Sequence, residues 1–358
     1  MKEKGLILRG TNFGTLSCAV GALGFYGEGY PFHKWWKLLF YVFGYKWKGY
    51  TFAGKTMTLK RRDSSKIGVN GNMPLEDDGV TPKERFPKSI WVEPMYRTTI
   101  FEHFPLLNKV PLLRNIGIKP GGHMQNCVGL ANFGIEFYLK LNKFQKIKDP
   151  YFISIMQFNP GDIEAMCNLI KTHLGVSKNS KFAVQINFAC PNTGHVVGEE
   201  LQDIIEQLTT ARRVLGEHIA IIPNFNALIS NETLRAIDHL VDAYWIGNTI
   251  PAGADVISPE VWKERFNVRF EDGKWESPLT DNGMPMAGGL SGPLCFPITL
   301  KKVEEMFMDE KITKPIIAGN GVRTYEDVCR LRRAGADMVF AGSAGVTKPT
   351  VLQKLTGQ

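Results

Sequence analysis

Residues 185–193 read QINFACPNT, an apolar run that ends in two asparagines, a cysteine and a proline. Side chains of a strand alternate between its faces. Phe182, Val184, Ile186 and Phe188 therefore share the face that a helix would cover, and Ala183, Gln185, Asn187 and Ala189 share a small, polar one. Pro191 cannot continue a central strand. Asn187 then stands near the strand's end, with Cys190 and Asn192 just beyond it. That is a chemical site or an unusual turn.

Other polar residues fall at similar places. Lys55 lies in the run YTFAGKTMTL (50–59), and Asn248, followed by Thr249, ends AYWIGN (243–248). A lone asparagine at a strand end is ordinarily a turn residue. Asn126, Asn187, Asn192 and Asn248 converging on one rim would suit a cyclic imide or amide, because a carboxamide pairs with C=O and N–H groups set side by side. A buried Lys55 would need an anion or an electron-rich cofactor atom. Glycines form a second cluster: Gly288-Gly289-Leu290-Ser291-Gly292, Gly319-Asn320-Gly321 and Gly342-Ser343. Glycines let a phosphate approach backbone N–H groups, and each motif alone is more often a plain turn.

The elements that must position these residues are regular from residue 150 onward. Short β-branched or apolar runs at 151–158, 182–188, 218–224, 243–248, 315–320 and 338–343 alternate with helical patterns at 162–174, 199–215, 231–240, 297–309 and 324–334. Runs at 16–22 and 50–59 add two more strands. Eight strands with intervening helices predict an α/β fold, a (β/α)8 TIM barrel whose site lies at the C-terminal ends of the strands. The whole chain, 1–358, reads as a single domain with long insertions after strand 2 (60–150) and strand 6 (250–292), both expected at the active-site face. Connections of that length in a compact domain usually have a function.

Composition narrows the class. Six scattered cysteines without a C-x-x-C pair, and seven scattered histidines without a ligand motif, predict a reduced, cytoplasmic chain with no metal site. A formal net charge of +8 could attract nucleic acid, lipid or a small anion. The basic residues are spread out, apart from Lys60-Arg61-Arg62, so an anionic ligand is expected and no nucleic acid. The aromatic, lysine-bearing segment 34–43 is read as the first barrel helix rather than a membrane-surface helix.

QINFACPNT resembles the N-x-x-C-P-N strand end of dihydroorotate dehydrogenases of the soluble, cysteine-using class. The resemblance extends in order through AGKTMTL (53–59), NCVGLAN (126–132), GGLSG (288–292) and PIIAGNG (315–321), and more loosely VGALGFYGEG (20–29). It implies an FMN-containing barrel that oxidises dihydroorotate to orotate in pyrimidine biosynthesis. Cys190 would be the general base that removes the C5 proton, while the C6 hydride passes to flavin N5. Lys55 would contact substrate and flavin. Asn126, Asn187, Asn192 and Asn248, with Thr249, would hold the pyrimidine, and Val128, Gly129 and Leu130 its carboxylate side. FMN would meet Gly21, Ala22, Lys55 and Asn187, and its phosphate Gly292, Asn320, Gly321, Gly342 and Ser343. The resemblance also implies a small dihydropyrimidine substrate, and a homodimer or an electron-transfer partner subunit, without membrane contact.

One departure stands out. The family carries a lysine beside flavin N1 in the fifth strand, and the matching position is Ala220, with no lysine or arginine from His218 to Asn226. Three alternatives stay open: a flavin barrel acting on another dihydropyrimidine or cyclic amide, a catalytically silent ligand-binding barrel, and a phosphate-binding barrel enzyme without flavin that uses Cys190 as nucleophile.

Overall fold

The computed structural model describes residues 5–31, 48–62, 71–84, 87–93, 122–188, 201–347 and 352–357. Cys190, Asn192 and the 34–43 segment lie outside them. Eight parallel strands follow one another around a ring: Leu16–Cys18, Phe52–Ala53, Tyr151–Ile155, Phe182–Asn187, Ile221–Asn226, Tyr244–Asn248, Ile316–Gly319 and Met338–Ala341. The last strand pairs with the first, Val339 opposite Leu16. A parallel bridge between Ser17 and Thr51 closes the ring beside the second. This is the (β/α)8 barrel expected from the alternating pattern.

Alternation sorts the side chains into two layers. Phe182, Val184 and Ile186 point outward into the large cluster shared with the helices, while Ala183, Ala220, Ile222, Trp245 and Phe340 fill the interior. The helix Asp162–Leu174 shows why the outer layer forms. Ile163, Met166, Cys167 and Ile170 recur at helical spacing and are all buried. The Asp162 carboxylate accepts from the Phe158 and Asn159 N–H groups at 3.0 Å, satisfying donors where the chain enters the helix. A short N-terminal hairpin, Leu6–Leu8 with Thr11–Gly14, closes the other end of the barrel, its Phe13 stacking on Phe152 at 4.7 Å.

Two expected strands are shorter than their apolar runs. The run 16–22 stops pairing at Cys18, because residues 19–24 turn back on themselves through Ala22 N to Ala19 O and Gly24 N to Gly21 O. The run 50–59 breaks after Ala53: the Lys55 N–H goes to Gly24 O instead of the neighbouring strand, and the ladder resumes only at Met57, opposite Ile155. Both interruptions lie where side chains must turn toward the barrel mouth.

The two insertions meet. Ile90–Val92 and Met124–Asn126 from the first, and Gly289–Ser291 and Ile250–Pro251 from the second, form one antiparallel four-stranded sheet. His123 fastens it. Its Nε2 accepts from the Leu294 N–H at 3.0 Å and its Nδ1 lies 2.8 Å from Glu93, whose carboxylate also meets Arg265. The ring is almost fully buried, and burial holds its pKa below the ordinary value against the pull of Glu93. The neutral imidazole thus donates from Nδ1 and accepts at Nε2. His123→Ala leaves the Leu294 N–H without its acceptor and takes one partner from Glu93, so urea unfolding should show a loss of about 1–3 kcal/mol.

Candidate functional site

At the C-terminal ends of the barrel strands the structure holds a cavity with about 1210 Å³ of empty space, its mouth included. Gly21, Ala22, Lys55, Asn126, Val128, Gly129, Leu130, Asn187, Asn248, Thr249, Asn320, Gly342 and Ser343 all line it. Gly292 and Gly321 stand one layer behind, packed against each other and bonded through Asn320.

The carboxamides are linked. Asn248 donates from Nδ2 to Asn187 Oδ1 at 3.1 Å, and Asn187 donates to Thr56 Oγ1 at 3.3 Å. Asn320 donates to the Asn248 carbonyl at 3.2 Å and accepts from the Gly292 N–H at 3.1 Å. These bonds tie together the ends of the fourth, sixth and seventh strands. A ring of amides held this way offers a ligand fixed donors and acceptors at little further ordering cost.

Lys55 is the one charged side chain among the described lining residues. Its Nζ donates to the Ala131 carbonyl at 2.6 Å and lies 5.2 Å from the centre of the Phe25 ring. Burial lowers its pKa to about 7, against the pull of Glu28. The amine is thus poised to take a full charge when an anion arrives. Gly21 is required beside it: at φ +74° a Cβ there would stand 3.2 Å from Lys55 Cγ.

The glycine-rich turns are equally constrained. Asn320 and Gly321, after the seventh strand, both have φ +82°. A Cβ on Gly321 would strike the Gly292 carbonyl, and one on Gly292 would lie 2.8 Å from His123 Cα. Gly321→Ala should lower thermal stability, as seen by calorimetry.

Sequence reasoning missed part of the lining. Asn224, on the fifth strand between Asn187 and Trp245, is 3% exposed, and its Oδ1 has no partner among the described residues. Its inward parity with Ala220 was the available signal. Trp245 and Phe340, stacked at 5.0 Å, close the cavity from below. Ala220 does not reach the cavity and packs in the interior cluster with Trp245. Among the described residues no group of three or more His, Cys, Asp or Glu could hold a metal, and no helix is long and apolar enough to cross a membrane.

Comparisons with known proteins bear on this site. The family model described as Dihydroorotate dehydrogenase matches residues 264–358. Over that segment the chain is similar to the dihydroorotate dehydrogenase family. A relative from Listeria monocytogenes serotype 4b (strain CLIP80459), named Dihydroorotate dehydrogenase B (NAD(+)), catalytic subunit, is 29% identical over 241 residues, 66% of this chain and 71% of its own length. One of the same name from Staphylococcus carnosus (strain TM300) is 27% identical over 240 residues, 65% of this chain and 69% of its own. Among solved structures, DHODH from Eimeria tenella in complex with ferulenol aligns with TM-score 0.61 at 16% identity, covering 100% of this chain and 83% of that one. The ligand-free form aligns with TM-score 0.60 at 14% identity, covering 99% and 85%. These structures share the fold.

Enzymes of the dihydroorotate dehydrogenase family are FMN-dependent flavoproteins, and the described residues fit that cofactor. Among the described residues the buried Asn224 Oδ1 and Thr249 Oγ1 atoms have no partner, as expected where a ligand completes the hydrogen bonding. The turns after the seventh and eighth strands lie where barrels commonly seat a phosphate.

Proposed function

We propose that this chain is an FMN-dependent oxidoreductase that converts dihydroorotate to orotate, a step of pyrimidine biosynthesis. The observation that carries the proposal is the convergence of Asn126, Asn187, Asn248 and Lys55 on one cavity at the strand ends. Carboxamides match the alternating C=O and N–H edge of a dihydropyrimidine. Lys55 answers the carboxylate, and charging the buried amine beside an anion is favourable where the amine alone is not.

In this reading Asn126, Asn187, Asn192 and Asn248 hold the ring, with Thr249 beside Asn248, and Val128, Gly129 and Leu130 line its carboxylate side. Cys190, as thiolate, takes the proton from C5. FMN, when bound, supplies the acceptor for the hydride that leaves C6, so that the C5–C6 double bond forms. Gly21, Ala22, Lys55 and Asn187 would hold its ring system, and Gly292, Asn320, Gly321, Gly342 and Ser343 its phosphate. An electron-transfer partner subunit would complete the cycle, a proposal supported by relatives named as catalytic subunits. Because dihydroorotate and orotate bind the same groups, orotate should inhibit competitively.

The test is the visible spectrum of the purified protein, followed by anaerobic dihydroorotate. A bound flavin that bleaches is expected. An oxidised flavin that ignores dihydroorotate yet bleaches with another dihydropyrimidine would refute the substrate, and a protein that takes up no FMN would refute the activity.

A further inference from the structure

A glutamine stands inside the barrel among alanines and aromatic rings. Gln185 is fully buried, on the inward face of the fourth strand one layer below Asn187. Ser154, also fully buried, donates to its Oε1 at 2.7 Å. Neither residue lines the cavity. Burying such groups is costly unless their hydrogen bonds serve something.

The direction of the bonds shows what they serve. The Thr249 backbone N–H donates to Asn248 Oδ1 at 2.8 Å, and a backbone N–H cannot do otherwise. Asn248 must then turn its Nδ2 to Asn187 Oδ1, and Asn187 its Nδ2 to Thr56 Oγ1. The Thr56 and Ser154 hydroxyl oxygens are 2.8 Å apart. Ser154 has one hydrogen, already given to Gln185, so Thr56 donates to Ser154. Every bond runs the same way, from the sixth-strand backbone through the cavity wall to a buried acceptor.

We propose that Gln185 and Ser154 are positioning residues that fix the polarity of the Asn187 amide, and so the donor and acceptor pattern offered to a ligand. Without the terminal acceptor, the Ser154 hydrogen turns back to Thr56. The Thr56 hydrogen then turns to Asn187 and competes for the carbonyl that Asn248 uses. The amide is no longer held in one orientation. This deepens the functional reading above and rests on it for the identity of the substrate.

The experiment compares the full-length protein with Ser154→Ala/Gln185→Leu and with Gln185→Glu, which keeps an acceptor. Removing both hydrogen-bonding partners at once should leave the melting temperature unchanged or raised, yet weaken FMN and orotate binding by about tenfold. KM for dihydroorotate should rise by a similar factor while kcat stays within about threefold. Gln185→Glu should bind both molecules within about threefold of the unsubstituted protein. Unchanged affinity in the double variant, or a loss of stability that tracks the loss of binding, would overturn the proposal. If the double variant does not fold, Ser154→Ala alone should weaken binding of both molecules about tenfold; the Gln185 carbonyl it leaves unmet lowers the melting temperature, so affinity alone decides there. Should the unsubstituted protein hold FMN but not orotate, the substrate reading fails and FMN affinity still decides the relay; uptake of neither molecule overturns both.

Discussion

Cys190→Ala is expected to lower turnover by about 10²–10⁴-fold, the range for losing a positioned general base, while the purified protein keeps its flavin. The other cysteines sharpen the expectation. Cys18, Cys127, Cys167 and Cys295 are buried, and burial pushes each thiol up to about 12. At neutral pH they stay protonated and cannot accept a proton. Among the described residues no cysteine lines the cavity. A free thiol ionises near 8.5, so a catalytic Cys190 predicts a kcat that rises with pH through a thiol-like ionisation. Cys190→Ser should be nearly as inactive as the alanine variant, because a serine hydroxyl is far weaker as a base precursor. Turnover that survives Cys190→Ala would remove this residue from the chemistry.

The second large effect belongs to Lys55. Its amine is lowered from 10.5 to about 7 by burial. Between those values the unfolded chain binds a proton that the folded, ligand-free chain does not. Stability therefore rises with pH across that window, and the penalty is fullest below about 7, where the buried amine must be charged. An anion bound beside it raises the pKa again. Binding then takes up a proton above pH 7, and orotate affinity should fall as pH increases from there. Lys55→Met should abolish both trends and weaken orotate by roughly 10- to 100-fold, the loss of one hydrogen bond to a charged group. Titration calorimetry in buffers of different ionisation enthalpy reads the proton uptake directly. Identical heats in all buffers at pH 8 would contradict it. The two ionisations separate experimentally, since the thiol acts on kcat and the amine on KM.

The barrel was readable because its signals are local. Strands such as Tyr151–Ile155 and helices such as Asp162–Leu174 carry their periodicity within a few residues, and Asn187 and Asn248 announce themselves by ending apolar runs. The insertion sheet was not readable. Its strands are two or three residues long, and Met124–Asn126 pairs with Gly289–Ser291 across more of the chain than any local pattern can span. Asn224 also ends an apolar run, 218–224, and was passed over; only the inward parity of the fifth strand gives it a role. Gln185 was visible as part of a polar face, but its partner Ser154 lies on another strand and Thr56 follows a break in a third. Position along the chain gives a residue's face; which hydroxyl it meets depends on barrel register.

The interleaving of the two insertions restricts how such enzymes can be recombined. Gly289–Ser291 lies between Ile250–Pro251 and Met124–Asn126, so each insertion supplies the hydrogen-bond edge on which the other is built. A chimera that grafts one segment from a relative exposes an unpaired strand edge above the catalytic mouth, a template for aggregation. Grafts that exchange both segments keep the edge covered. Changing this face without exposing an edge would therefore take matched cassettes, although Met124–Asn126 and Ile250–Pro251 are more than a hundred residues apart.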